Sequence, residues 1–212
     1  MSANLYASVA EFRDRMGITN TESDWQLDRA LQTASRWIDR TLGRRFYTTD
    51  SDEIRYYTAC DAYWELRPED DILSVTTLET DANGDGVYET VWSAGTDYHL
   101  EPINALVNGE PYTSICKSWW QGRFSFPSYT NAVKVTGKFG YCTLSNVPMP
   151  ITTLCMMVAE GEAGPGLSDL VIPGVQSYKI GNELTVTVAG KNLPKSAASI
   201  IDQYRRGVGY VA

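Results

Sequence analysis

The sequence predicts an α+β protein: a small helical bundle (N-terminal αα-hairpin, core helix, C-terminal helix) with an inserted antiparallel β subdomain and a β-hairpin. Three observations predict it. Two amphipathic helical patterns separated by a short polar turn open the chain. A stretch rich in Thr, Tyr, Val and Trp, punctuated by turn dipeptides, runs from about Ile54 to Tyr141. Helical patterns then return, interrupted by one alternating segment. The expected division is 1–48 for the N-terminal helical part, 49–146 for the inserted β subdomain, and 147–212 for the remainder.

The first helix is signalled by Ser8-Val-Ala-Glu11, a capping box in which Ser8 caps and Glu11 reaches back. Val9, Phe12 and Met16 recur at helical spacing, and Gly17 supplies the stop. Thr19-Asn20-Thr21 offers cap side chains for the next helix. From about Ser23 to Leu42, Leu27, Leu31, Ala34, Ile38 and Leu42 form one stripe, with Asp28, Gln32, Arg36 and Asp39 opposite. Gly43 closes it. In the middle stretch, Leu73-Ser-Val-Thr-Thr reads as a strand. Val133, Val135 and Phe139 alternate with Lys134, Thr136 and Lys138 as in a half-buried strand. Asn83-Gly84 and Asn108-Gly109 mark turns.

Pro148 and Pro150 introduce Ile151-Thr-Thr-Leu-Cys-Met-Met-Val-Ala, apolar on nearly all sides, which predicts a buried core helix entered through proline. Gly161 to Gly174 reads as a loop. Tyr178-Lys-Ile180, Gly181-Asn182 and the alternation Leu184, Val186, Val188 predict a hairpin with a two-residue turn. The last helix runs from Leu193-Pro194 to Arg206, with Ala197, Ile200, Ile201 and Tyr204 on one face.

Composition narrows function. The 212 residues carry 18 Lys+Arg against 26 Asp+Glu, a net charge of −8. That balance disfavours binding nucleic acid through phosphate neutralisation, and disfavours adhesion to anionic membranes. Cys60, Cys116, Cys142 and Cys155 form no CxxC pair, and His99 is the one histidine. No zinc site of ordinary spacing can be assembled from these, and the cysteines read as reduced, mostly buried thiols in a reducing cytoplasm. The N-terminus lacks the pattern of a signal peptide.

The sharpest local motif is Asp81-Ala-Asn83-Gly-Asp85-Gly86, the opening of a calcium loop. Position 12, where a bidentate Glu belongs, is Trp92, and Glu89 falls at position 9. An Asx-rich turn closed on its own backbone is the competing reading. No nucleophile elbow, P-loop or dinucleotide fingerprint occurs, and the chain is not expected to be an enzyme. His99 has no evident partner in sequence, and Glu69-Asp70-Asp71 reads as a solvated acidic loop. Trp119-Trp120, Phe124, Phe126 and Tyr129 read either as an interface or as a cover for the sheet. Arg44-Arg45 and Arg205-Arg206 suit helix ends or ion pairs with a partner subunit.

The order of these features resembles one family. Tyr6-Ala-Ser-Val-Ala-Glu-Phe-Arg-Asp-Arg-Met-Gly-Ile18, followed by Ala34-Ser-Arg-Trp-Ile-Asp-Arg-Thr-Leu-Gly-Arg-Arg-Phe46, is similar to the opening helical pair of head–tail connector (neck adaptor) proteins of long-tailed bacteriophages. Leu73-Ser-Val-Thr-Thr-Leu, the Asp81–Gly86 turn and Thr-Asp-Tyr98 resemble that family's inserted β subdomain. Val133-Lys-Val-Thr-Gly-Lys-Phe-Gly-Tyr141 with Val147-Pro resembles the strand returning to the helices. Ser177-Tyr-Lys-Ile-Gly-Asn-Glu-Leu-Thr-Val and Ile201-Asp-Gln-Tyr-Arg-Arg206 resemble its hairpin and last helix. A core helix broken early by Glu160-Gly-Glu-Ala-Gly-Pro165 departs from the pattern.

The resemblance implies a structural virion protein located in the neck at the portal vertex and present in the host cytoplasm during assembly. It implies self-association into a ring, usually dodecameric, which extends the DNA channel. The portal protein and a downstream neck or tail protein would be the partners. DNA would cross the lumen without specific binding, and no membrane or cofactor is implied. Carried over to this chain, the portal contact falls on Ile200, Ile201, Tyr204, Arg205, Arg206, Tyr210 and Val211. The alternative read from the residues is a calcium-dependent binding module, for example for carbohydrate, with Asp81, Asn83 and Asp85 as metal ligands. A hydrolase using paired carboxylates is a third.

Overall fold

A computed structural model describes residues 4–59, 64–119, 125–162 and 195–206, and the backbone of 175–180 and 184–189. The chain is α+β, with four helices and antiparallel sheets among the described residues. It divides into two compact units. One is built from the chain up to Gly43 and from Val147 to Arg206; the other spans Arg44–Asn146.

The helical unit opens with α1 (Val9–Arg15), whose capping box forms as the sequence predicts. The Glu11 N–H donates to Ser8 Oγ at 3.2 Å, and the Ser8 N–H donates to Glu11 Oε2 at 3.1 Å. Gly17 follows in the left-handed region, φ 68°. Helix α2 (Asp24–Leu42) starts at Ser23, not at the Thr19–Thr21 caps, and the Ser23 side chain makes no cap bond. Its carbonyl instead accepts from Gln26 N–H at 2.9 Å. The predicted stripe is buried: Leu27, Leu31, Ala34 and Ile38 have no exposed surface. Burying each Leu or Ile side chain stabilises by about 1.5–3 kcal/mol.

Helix α3 (Met149–Glu162) carries Pro150 in its first turn and buries Ile151, Leu154, Cys155 and Ala159 completely. Ser35 joins three segments: its hydroxyl donates to Leu31 O at 2.8 Å, accepts from Tyr6 N–H at 3.2 Å, and lies 3.5 Å from Cys155 Sγ. A buried hydroxyl with its bonds made is stable where an orphan would not be. Two sequence expectations are corrected here. Gly161 and Glu162 are helical, not the start of a loop; a Cβ at Gly161 would meet open space, so nothing steric ends the helix there. The hairpin strands β8 (Val175–Ile180) and β9 (Leu184–Ala189) pair with Ile180 opposite Leu184. That register leaves 181–183 between the strands, so the two-residue turn is excluded. It also pairs Tyr178 with Val186, whereas a two-residue turn would set Lys179 against Leu184. The turn residues themselves lie outside the described residues. Helix α4 (Lys195–Tyr204) ends the unit, and the Arg206 N–H donates to Leu42 O at 2.9 Å.

The β unit holds two antiparallel sheets. The first has the order β1 (Glu53–Tyr57), β7 (Val133–Phe139), β3 (Ile72–Thr80), β4 (Thr90–Trp92). The second has the order β2 (Glu65–Leu66), β6 (Ser114–Lys117), β5 (Tyr98–Glu101). Val133, Val135 and Phe139 are buried and Lys134, Thr136 and Lys138 half-buried, the alternation the sequence predicts. Leu78, Trp92, Val135 and Phe139 from the first sheet share one core with Leu66, Tyr98 and Ile115 from the second. The sheets therefore lie on either side of that core. Strand β7 ends at Gly140, φ 131°, where a Cβ would sit 2.1 Å from Tyr47 O; only glycine fits. No helix among the described residues is long and apolar enough to cross a membrane.

Candidate functional site

The Asp81 loop leaves the end of β3. Asp81 is 5% exposed, and its N–H donates to Ala132 O at 2.9 Å, holding the loop to the far side of β7. Its carboxylate faces the loop's own backbone. Oδ1 accepts from Gly84 N–H at 2.6 Å and Asn83 N–H at 3.2 Å; Oδ2 accepts from Gly86 N–H at 2.7 Å. Burial would raise the Asp81 pKa, but these donors outweigh it and hold the carboxyl below its ordinary range. Gly84 and Gly86 take φ of 79° and 86°, the left-handed turn such a nest requires. The arrangement is an Asx-type turn closed on itself.

Metal-ligand geometry is present in part. Asp81, Asp85 and Glu89 can bring one carboxylate oxygen each within 4.8 Å of one another. Asn83, a ligand in the sequence reading, is engaged otherwise: its Oδ1 accepts from Asp85 N–H at 3.0 Å and its Nδ2 donates to Asp85 Oδ2 at 3.2 Å. Trp92, at loop position 12, is buried. Its indole N–H donates to Thr80 Oγ1 at 2.9 Å and its ring stacks on Phe126 with centroids 4.7 Å apart.

That stacking splits the predicted aromatic cluster. Phe126 is core, while Trp119 is 83% exposed and Tyr129 is exposed. Trp120 and Phe124 lie outside the described residues. The acidic run before β3 is also corrected: it is not a solvated loop. Asp71 is buried and pairs with Arg44 Nε at 3.3 Å, and Asp70 pairs with Arg55. Arg44 and Arg45 are therefore satisfied within their own chain. Arg45 pairs with Glu53 at 3.0 Å and donates to Phe139 O at 2.8 Å. Sequence reasoning missed these pairs because the partners are far apart along the chain.

His99 has a partner after all, Glu101 Oε1 at 3.2 Å, two residues along β5. It also stands opposite Cys116 in the β5–β6 register. The Cys116 sulfur contacts Ser114 Oγ at 3.7 Å, and burial pushes its thiol pKa up. This is a resting thiol, the reverse of an activated nucleophile. Burial likewise pushes Cys142 up to about 12, and its thiol lies 3.5 Å from Phe46 O. Cys116, Cys142 and Cys155 are free thiols; Cys60 lies outside the described residues.

Of the residues assigned to a portal contact, Ile201 is 9% exposed and turned into the helical unit with Ala197. Ile200, Tyr204 and Arg206 are half-buried, and Arg205 is exposed. Tyr210 and Val211 lie outside the described residues. Two exposed apolar surfaces escaped sequence reasoning. One comprises Ile54, Tyr56 and Val91 on the first sheet, the other Ile103, Leu106 and Val107 after β5. The signal for the first was the alternation of Ile54 and Tyr56 with Glu53, Arg55 and Tyr57, which puts apolar side chains on both faces.

No family model matches the chain, and no curated protein matches it. Solved structures do. A chain in the neck of the empty GTA particle, computed with C6 symmetry, matches with a TM-score of 0.58 at 18% identity, over 96% of this chain and 92% of that one. A chain in the virion of the native gene transfer agent (GTA) particle matches with a TM-score of 0.59 at 17% identity, again over 96% and 92%. A chain in the neck of the native GTA particle, computed with C12 symmetry, matches with a TM-score of 0.56 at 19% identity, over 95% and 90%. At these identities the likeness establishes a shared fold running through nearly the whole of both chains.

Proposed function

We propose that this chain is a structural neck protein of a phage-like particle. In this reading it is a head–tail connector without catalytic activity, whose copies form a ring beneath the portal. The ring extends the DNA channel and docks the next neck or tail component. The observation that carries this reading is the end-to-end fold match to chains of a particle neck, 96% of this chain against 92% of that one. The sequence order of helical pair, β subdomain, hairpin and last helix points the same way. Neighbours computed with C6 and C12 symmetry favour a ring of twelve. The net charge of −8 suits a conduit that must not hold the phosphate backbone.

Two measurements test it. Mass spectrometry of purified particles from the source cells should find the chain as a stoichiometric component; its absence from particles carrying portal protein refutes the reading. For the portal contact, deleting residues 207–212 should weaken binding to purified portal rings while leaving thermal unfolding unchanged. A shorter truncation that removed α4 would confuse docking with folding, because Ala197 is fully buried.

One observation favours a second reading, a calcium-dependent binding module: the convergence of Asp81, Asp85 and Glu89. Calcium titration followed by Trp92 fluorescence separates the two. Saturation at micromolar calcium would support the module. A flat titration is expected for a turn that its own backbone already satisfies.

A further inference from the structure

The β unit exposes two apolar surfaces that differ in shape and charge. The first is the face of the first sheet turned away from the core. Register aligns Tyr56, Lys134, Glu79 and Val91 in one row across all four strands. Ile54, Thr136 and Thr77 form the next row. Tyr56 is 51%, Ile54 55% and Val91 60% exposed, on a face that a solvated antiparallel sheet normally fills with polar groups. The Tyr56 ring meets Tyr88 at 5.7 Å, and Lys134 pairs with Glu79 at 2.9 Å. Lys138 shares this face and has no ion pair among the described residues. The outward charges of these strands are thus two lysines against one glutamate, in a chain with an excess of acids.

The second surface is a knob between β5 and β6. Ala105 is fully buried and anchors it, while Ile103 is 67% and Val107 87% exposed. Its shape is fixed by backbone bonds: Ala105 N–H to Pro102 O at 2.9 Å and Glu110 N–H to Ala105 O at 2.9 Å. Glu101 Oε2 accepts from the Ile103 N–H at 2.8 Å. Glu101 and Glu110 flank the knob, and no Lys or Arg lies between them.

We infer that the knob of one copy docks on the outward face of the first sheet of the next copy, with Val107 against Tyr56 and Val91 and Glu110 against Lys138. This rests on the ring reading above and names the contact that closes it. A head-to-tail ring needs each copy to carry two different, complementary surfaces. An acid-flanked convex apolar knob and a lysine-bearing apolar face meet that need in both charge and hydrophobicity. A second copy is the occupant favoured because both halves of the complement belong to the same chain.

The test uses the full chain in sedimentation velocity and native mass spectrometry. Val107→Asp on the knob and Val91→Asp on the face should each weaken self-association about tenfold or more. Both sites are exposed, so thermal unfolding should not change. Mixed in equal amounts, the two variants should stop at a 1:1 dimer, since one retains an intact face and the other an intact knob. Glu110→Lys should weaken association, and adding Lys138→Glu should restore it. If the wild-type chain assembles and both Asp variants assemble equally well, this contact is wrong and the ring reading stands. If both variants abolish assembly but their mixture stays monomeric, the knob-to-face pairing is wrong. A wild-type chain that stays monomeric at every concentration removes the ring reading and this contact together.

Discussion

Among the described residues, the helical unit leaves Trp25 and Met149 as its exposed large apolar side chains, whereas the other eleven of thirteen belong to the β unit. The helical unit hides its stripe because helices can turn one face inward on several sides at once. A sheet has two faces, and the shared core of the β unit covers one face of each. The contrast teaches where the work of each unit lies: internal packing in the helical unit, contact with other molecules in the β unit.

The largest expected effect breaks the β unit alone. Gly140→Ala places a Cβ against Tyr47 O at a φ that L-residues avoid. It should destabilise that unit by about 3 kcal/mol or more, read from the denaturant midpoint. Next, Leu31→Ala and Ile115→Ala each empty a fully buried site, one in each unit. Each should cost about 2–5 kcal/mol. Hydrogen exchange should show the first loosening α2 and α3 and the second loosening the sheets. If each loosened both units equally, the division into two units would be wrong.

The smallest effect concerns the first helix. Ser8→Ala removes the capping box and should cost about 1 kcal/mol at neutral pH. Backbone and side-chain bonds from Ser8 hold the Glu11 carboxyl below its unperturbed 4.5. A depressed carboxyl stabilises the fold above its unfolded pKa, and that contribution is lost as pH falls through the folded value. The gap between wild type and Ser8→Ala should therefore narrow below about pH 4.5 in chemical denaturation.

Much of the helical unit was legible because its signals are local. Ser8 and Glu11 lie three residues apart, the α2 stripe repeats every turn, and Gly43 stops it with φ 63°. The alternation of β7 was legible for the same reason. The rest required partners distant in sequence. Nothing near Asp71 announces Arg44, and nothing distinguishes Trp92, stacked in the core, from Trp119, largely in solvent. The hairpin turn was misjudged because a Gly-Asn dipeptide is a local hint, while strand register answers to every apolar pair along both strands. The loop at Asp81 was recognised as a choice between metal and backbone, and its hydrogen bonds are those of the backbone alternative.

The helical unit is interrupted between Gly43 and Val147, and this fixes an order of birth on the ribosome. The α1–α2 pair emerges with its stripe bare, and α3, which covers it, is translated only after roughly a hundred further residues. At about 5–20 residues per second, that interval lasts roughly 5–20 s. The nascent chain thus presents Leu27, Leu31 and Ile38 to the cytosol while the sheets assemble, and a holdase that recognises such a stripe would find this protein as a client during synthesis and not afterwards.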